Sequence, residues 1–98
     1  MDLNDLLHDI HALEDEMRLY ERKYNMLSEA FYAAYQRGEE PPEDAWVLDW
    51  TAWASGYEVL LRFREKYRLA VAQLAAHDQS LADVIARTVR HEPVLIPA

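Results

Sequence analysis

Eight apolar side chains in the first 27 residues recur alternately three and four positions apart, and this spacing strongly constrains the fold. A heptad pattern of this kind keeps one stripe of a helix facing a partner helix. It predicts a long first helix over residues 2–24, because acids lie at its start and Arg22 and Lys23 lie near its end, where each complements the helix dipole. The stripe consists of Leu3, Leu6, Ile10, Leu13, Met17, Tyr20, Tyr24 and Leu27.

A short second helix is predicted over residues 28–37. Asn25 tolerates the left-handed backbone that ends helices, and Ser28 is a favourable N-cap for the next one. Gly38 is the expected stop. The buried face of this helix is predicted to be Ala30, Phe31, Ala34 and Tyr35.

The third helix is predicted to run from about residue 42, where Pro42 suits the first helical position, to residue 76. Apolar residues again recur at helical spacing, and the stripe is wide enough for burial against more than one neighbour. It includes Trp46, Trp50, Trp53, Tyr57, Leu60, Arg64, Tyr67, Val71 and Leu74.

A fourth helix is predicted over residues 80–90, with Ser80 and Asp83 in an N-capping arrangement. Two long helices joined by a short helix and tight loops favour antiparallel pairing, with Tyr20 and Tyr24 near Trp46 and Trp50. The predicted fold is therefore all-α. An antiparallel helical hairpin over residues 1–76 contains a short helix between the long helices, and a short C-terminal helix and an extended tail occupy residues 77–98.

Composition agrees with a folded helical chain. Hydrophobic residues make up 51% of the sequence, and there are only two glycines, which is too apolar for disorder and favours helix over sheet. The absence of cysteine excludes disulfides and thiolate chemistry. The first ten residues do not have the character of a signal peptide, and no stretch approaches the roughly 18–20 apolar residues of a membrane span. A cytoplasmic protein without membrane association is expected.

The negative charge lies in the first half of the chain. The formal net charge is −8, and residues 1–44 carry twelve acidic and four basic side chains, whereas residues 45–98 carry six of each. Such a distribution repels phosphate backbones, so direct binding of nucleic acid is not expected. It would attract a basic protein, although acidity also serves solubility alone.

No pattern in the chain is typical of an enzyme. Two of the three serines are explained as helix caps, and the two distant glycines cannot form a phosphate-binding loop. His8 and His11 are three residues apart on the first helix, but the heptad register directs both to solvent, and a zinc site would need further ligands. No catalytic residue, metal site or cofactor is predicted.

Two apolar segments are candidate partner-binding sites. Aromatic residues at helical spacing are often core, but three tryptophans on adjacent turns exceed what a thin hairpin covers, and Trp and Tyr are enriched at interface hot spots. The apolar tail between two prolines either folds back on the hairpin or docks on a partner. The predicted partner-binding residues are Trp46, Trp50, Trp53, Tyr57, Val94, Leu95 and Ile96.

A longer pattern covers roughly residues 14–62 and is carried by Glu21, Lys23, Tyr24, Ser28, Phe31, Tyr35, Gly38, Glu39, Glu43, Asp44, Asp49 and Trp50. This pattern resembles small all-helical antitoxins of prokaryotic toxin–antitoxin pairs. It departs from the usual pattern at Asn25, where glycine is common, and residues 77–98 have no counterpart in it. The resemblance implies a cognate toxin, a nuclease-like or RNA-targeting enzyme that is held inactive by direct contact.

Two hypotheses follow from the sequence. The first is an antitoxin-like protein that binds a cognate toxin, a basic or nucleic-acid-acting enzyme, and neutralises it by direct protein–protein contact. The alternative is a self-associating helical scaffold or adaptor, a homo-oligomer in which the same apolar stripes close against copies of themselves.

Overall fold

The computed structural model describes residues 2–77 and 80–96. The helices are α1 (Leu3–Tyr24), α2 (Ser28–Gln36), α3 (Val47–Ala76) and α4 (Leu81–Val89), and a 3₁₀ turn, Asp44–Trp46, precedes α3. Within these residues the only β-type pairing is an isolated bridge between Asp2 and Leu95. The all-α prediction is confirmed. No helix in the described ranges combines the length and apolarity that crossing a bilayer requires.

The chain forms two compact units, and the predicted division into residues 1–76 and 77–98 stays a prediction. One unit consists of residues 12–61, here called the aromatic unit, and the other combines residues 1–11 with residues 62–98, here called the terminal unit. The long helices α1 and α3 each contribute one segment to each unit. The C-terminal residues therefore share a unit with the start of α1.

In the aromatic unit, α1 and α3 run antiparallel. The ring of Tyr20 lies 5.8 Å from that of Trp53, whereas Tyr24, one turn later in α1, lies 5.2 Å from Trp46, two turns earlier in α3. This pairing confirms the predicted proximity of Tyr24 to the tryptophans. The heptad stripe ends at Tyr24, because Leu27 is exposed.

Backbone turns at the predicted helix ends explain these boundaries. Asn25 ends α1 with a φ of 55°, and the next amide, of Met26, donates to the carbonyl of Glu21. Gly38 has a φ of 87° and follows α2. Both are left-handed helix stops, as predicted. The α-helical part of the third helix begins later than residue 42, because Glu43 has extended backbone angles (φ −130°, ψ 137°).

Ser28 does not cap α2, so this prediction is wrong. Leu27 holds the extended N-cap conformation, and Ser28 is the first helical residue. Its amide donates to the Glu21 carboxylate over 2.9 Å. A side chain from α1 therefore satisfies a helix N-terminal amide that a cap would otherwise bind, and the Ser28 hydroxyl is left for another partner.

The terminal unit buries residues from all its segments. Leu3 of α1, Val84 of α4 and Val94 of the tail meet a face of α3, and Tyr67 and Ile96 pack against them. The Leu3 amide donates to the Val94 carbonyl over 2.9 Å. The fourth helix begins as predicted, because the Ser80 hydroxyl accepts from the Asp83 amide over 3.1 Å. The α3 residues of this core are Ala70 and Leu74.

Candidate protein-binding surface

Trp53 is the centre of the aromatic unit. Its ring stacks on Phe31 with 3.8 Å between centroids and 1° between planes, and the rings of Tyr20 and Tyr24 also stack near it, at 5.8 and 5.6 Å. The indole nitrogen donates to the Ser28 hydroxyl over 2.9 Å. Trp53 is only 1% exposed. It is therefore a core residue, and its contribution to binding would be to support its neighbours.

Trp46 and Trp50 lie at the edge of this cluster and are half-buried. The Trp50 ring stands nearly perpendicular to Phe31, at 4.9 Å and 89°, and to Tyr24, at 6.5 Å and 83°. Its indole nitrogen donates to the Glu39 carbonyl over 3.3 Å. These contacts fix the side chain of Trp50 and leave part of its surface open to solvent.

The structure brings together only some of the predicted partner-binding residues. Trp46, Trp50 and Trp53 form one cluster, whereas Tyr57 is buried and contacts Tyr32 at 5.1 Å. The three tail residues belong to the terminal unit. Val94 is fully buried, Leu95 is exposed, and Ile96 is half-buried against the core. A binding role for Val94 remains a prediction that would require this segment to leave its core.

A groove of about 540 Å³ opens beside Trp46 and Trp50. Sequence reasoning missed several residues that line it. Ala30 was predicted to be buried on α2 but is exposed, and Met26 follows the helix stop at Asn25. The sequence did contain a signal for this groove. Ala30 and Ala34 lie four residues apart on a short helix, and such small side chains leave space over neighbouring rings. This groove, here called the aromatic groove, is lined by Lys23, Tyr24, Asn25, Met26, Ala30, Phe31, Ala34, Glu39, Glu40, Trp46, Trp50 and Trp53.

Asp49 joins the ends of α1 and α3 at one side of the aromatic groove. Its Oδ2 accepts from the Lys23 ammonium over 2.6 Å and from the Tyr24 hydroxyl over 2.5 Å. Hydrogen bonds from Lys23 and then Tyr24 lower the pKa of Asp49. The bond to Asp49 raises the pKa of Lys23, and burial followed by the same carboxylate raises the pKa of Tyr24. The positive charge of the Lys23 ammonium is thus balanced by the Asp49 carboxylate of the same chain.

The loop that borders the aromatic groove is acidic. Glu39 pairs with Arg37 over 3.1 Å. Glu40, Glu43 and Asp44 are exposed, and the ion pairs found among residues 2–77 and 80–96 do not involve them. The described rim of the groove therefore carries uncompensated negative charge beside half-buried aromatic rings.

Replacing Asp49 by asparagine tests this electrostatic contact. Because the pKa of Asp49 is lowered in the folded state, its stabilising charge is present above its ordinary value of 3.8 and is lost as pH falls through the folded value. Asparagine resembles the protonated side chain. We expect the wild type to have the higher urea midpoint near neutral pH, and the gap between the two proteins to close in strong acid.

Urea unfolding followed by tryptophan fluorescence at several pH values measures the difference in urea midpoint between the wild type and Asp49→Asn. The matched control is Glu40→Gln, which removes an exposed carboxylate from the same unit. Because Glu40 is exposed, the urea midpoint of this variant near neutral pH should stay close to that of the wild type. A gap for Asp49→Asn that persists unchanged in strong acid would contradict a role for the Asp49 charge.

The terminal unit has a second apolar surface, on α4. Val84 of this helix is buried, whereas Leu81, Ile85 and Val89 are exposed at four-residue spacing. A groove of about 250 Å³ lies beside Leu81 and Ile85 and is lined by Leu3 and Tyr67 among others. Most of the apolar face of α4 is therefore left uncovered.

The aromatic groove combines ring surfaces with polar and charged side chains. Three of its polar side chains have hydrogen-bond partners, because the Lys23 ammonium and the Tyr24 hydroxyl bind Asp49 and the Trp50 indole N–H binds the Glu39 carbonyl. His8 and His11 are exposed on α1, as the heptad register predicts. Among residues 2–77 and 80–96, no three or more histidine or carboxylate side chains are grouped as a metal site would require. Comparison of the chain with protein-family models, curated proteins and solved structures found no significant match.

Proposed function

We propose that this protein is antitoxin-like and that it binds and neutralises a cognate toxin by direct protein–protein contact. The observation that carries the proposal is the aromatic groove, in which Trp46 and Trp50 are held by ring contacts yet remain partly open. Rigid, half-buried aromatic residues with space beside them are typical of interface hot spots. No catalytic role is proposed for the chain.

The charge on the same surface supports a basic partner. Glu40, Glu43 and Asp44 lie on the loop that leads into Trp46 and are not used in ion pairs described within the chain. Complementary charge accelerates association and discriminates among partners. A basic partner is also what an enzyme that acts on nucleic acid would offer. The resemblance of residues 14–62 to small helical antitoxins supports the same class of partner.

The function is tested by expressing the chain together with the product of the adjacent gene in a bacterial host. If the neighbour arrests growth, co-expression of this chain should restore growth and the two proteins should co-purify. Growth arrest that the chain cannot relieve, or a neighbour without toxicity, would reject the antitoxin role for that pair.

Replacing Met26 by serine tests the proposed surface. Met26 is 50% exposed and lines the aromatic groove, so we expect the variant to fold normally but to bind the toxin about tenfold more weakly, a loss in the range of interface truncations. Calorimetric titration of the toxin measures the change in Kd.

The matched control is Leu69→Ser, because Leu69 is 48% exposed on α3 and does not line the aromatic groove. Its affinity for the toxin should equal that of the wild type. If both variants bind as tightly as the wild type, the partner contacts another surface; if both weaken equally, the effect is not specific to the groove.

The alternative function, a self-associating helical scaffold, is favoured by the uncovered face of α4. Leu81, Ile85 and Val89 could pair with the same residues of a second copy, as in a two-fold symmetric interface. Light scattering on the purified chain separates the two functions. A single-copy mass across a broad concentration range would reject the scaffold and leave the groove as the binding surface.

A further inference from the structure

The rings that border the aromatic groove are arranged at steep angles to each other. Tyr24 makes an angle of 67° with Trp46 and of 83° with Trp50. Rings that meet at such angles form a corner rather than a stack, and all three rings line the aromatic groove. The face of an aromatic ring carries partial negative charge and attracts cations, tryptophan most strongly.

The chain itself already places one cation on this cluster. The Lys23 ammonium lies 5.5 Å from the centroid of the Tyr24 ring and is also bound to Asp49. Trp46 and Trp50 have the stronger ring faces, and the cation–π contacts found among the described residues, Lys23 on Tyr24 and Lys66 on Phe63, do not use them. Their open surface is adjacent to the acidic loop.

We propose that the aromatic groove receives an arginine side chain from the partner protein, with the guanidinium against Trp46 and Trp50 and within reach of the Glu40 carboxylate. This inference rests on the proposed function, because it names the group on the toxin that the groove recognises. A groove of about 540 Å³ has room for a long side chain and the backbone that carries it.

Arginine fits this surface better than a purely apolar anchor or lysine. The planar guanidinium stacks on aromatic rings and also forms paired hydrogen bonds to a carboxylate, and it is less strongly hydrated than an ammonium. An apolar anchor would use the rings and Met26 but would leave the charge of Glu40 and Glu43 without a counterpart. Charge complementarity therefore selects a cationic side chain.

The experiment uses blocked peptides of sequence Ala-Arg-Leu-Arg-Ala and the same peptide with citrulline in place of arginine. Citrulline has nearly the same shape but no charge. Binding to the full chain is followed through the indole N–H signals in proton–nitrogen NMR spectra, assigned with single Trp→Phe variants. Trp53 also borders the groove, but it is 1% exposed and its indole N–H is bound to the Ser28 hydroxyl, so its signal is the internal reference for the more accessible Trp46 and Trp50.

We expect the arginine peptide to shift the Trp46 and Trp50 signals much more than the Trp53 signal. Its affinity should exceed that of the citrulline peptide by about three- to tenfold or more and fall as salt screens the carboxylates. The double variant Glu40→Gln, Glu43→Gln should bind the arginine peptide several-fold more weakly. The control Asp5→Asn, Glu92→Gln removes two exposed carboxylates of the terminal unit, and it should bind like the wild type.

Equal binding of the citrulline peptide, or equal losses in both double variants, would overturn the arginine site. Arginine amide tests a small-molecule source, and binding as tight as that of the peptide would reject a protein segment as the ligand. The growth assay is independent of these results. Neutralisation without arginine binding would reject only this inference, whereas arginine binding without a toxic neighbour would reject only the antitoxin role.

Discussion

Replacing Trp53 by alanine is expected to lower the free energy of unfolding by about 3–5 kcal/mol, a large fraction of the total stability of a small domain. The ring is 1% exposed and stacks on Phe31, and Tyr20 and Tyr24 lie near it. Truncation would leave a cavity among these rings and would remove the donor to the Ser28 hydroxyl. Urea unfolding monitored by circular dichroism measures the loss.

The control for this prediction is Leu48→Ala in the same unit. Leu48→Ala is also a large-to-small substitution, but Leu48 is 83% exposed. Its effect on the free energy of unfolding should therefore stay within about 0.5 kcal/mol. If Trp53→Ala costs no more than Leu48→Ala, the ring is not the structural centre of the aromatic unit, and the orientation of Trp46 and Trp50 must have another cause.

The pairing of the long helices could be predicted from the sequence because it depends on repeated spacing. Leu3, Leu6, Ile10 and Met17 are all buried, and Tyr24 lies beside Trp46 as the antiparallel arrangement requires. Many residues contribute to such a register, so one exception does not change it. Leu27 fits the spacing but lies beyond the left-handed stop at Asn25, and it is exposed.

Features that depend on one distant contact could not be predicted in the same way. Ser28 has the sequence context of a helix cap, yet its hydroxyl binds Trp53, which is 25 residues away, and its amide binds Glu21. Ala30 has the spacing of a buried residue on α2 but borders an open groove. Local patterns indicate which partners a side chain accepts, whereas the packed chain decides which partner it meets.

In the tail, too, the sequence pattern does not determine which single residues are buried. Between two prolines, the extended segment turns Val94 inward and Leu95 outward, and Ile96 again contacts the core. Alternation of this kind follows from extended backbone geometry, but composition alone does not say which residue faces inward. A partner that captured the whole segment would first have to displace Val94, whereas the aromatic groove is open already. The groove is therefore the stronger candidate for binding.

Replacing Val94 by asparagine is expected to destabilise the terminal unit by about 2–4 kcal/mol, the sum of lost apolar burial and of an amide without hydrogen-bond partners. The matched control is Leu95→Asn. Val94 is 0% exposed and Leu95 is 69% exposed, so two adjacent substitutions to the same residue should differ by several-fold in cost. Stability is measured by urea unfolding, and the local effect by hydrogen exchange of the Leu3 amide.

The Leu3 amide is the informative probe because it donates to the Val94 carbonyl. In Val94→Asn its exchange should accelerate strongly, whereas in Leu95→Asn it should remain close to the wild-type rate. The amide of Phe31 in the aromatic unit is the internal reference in both variants. If the Leu3 amide exchanges equally fast in both, the tail is not held by Val94. It would then be free to dock on a partner, and the tail-docking interpretation of the sequence would regain its physical basis.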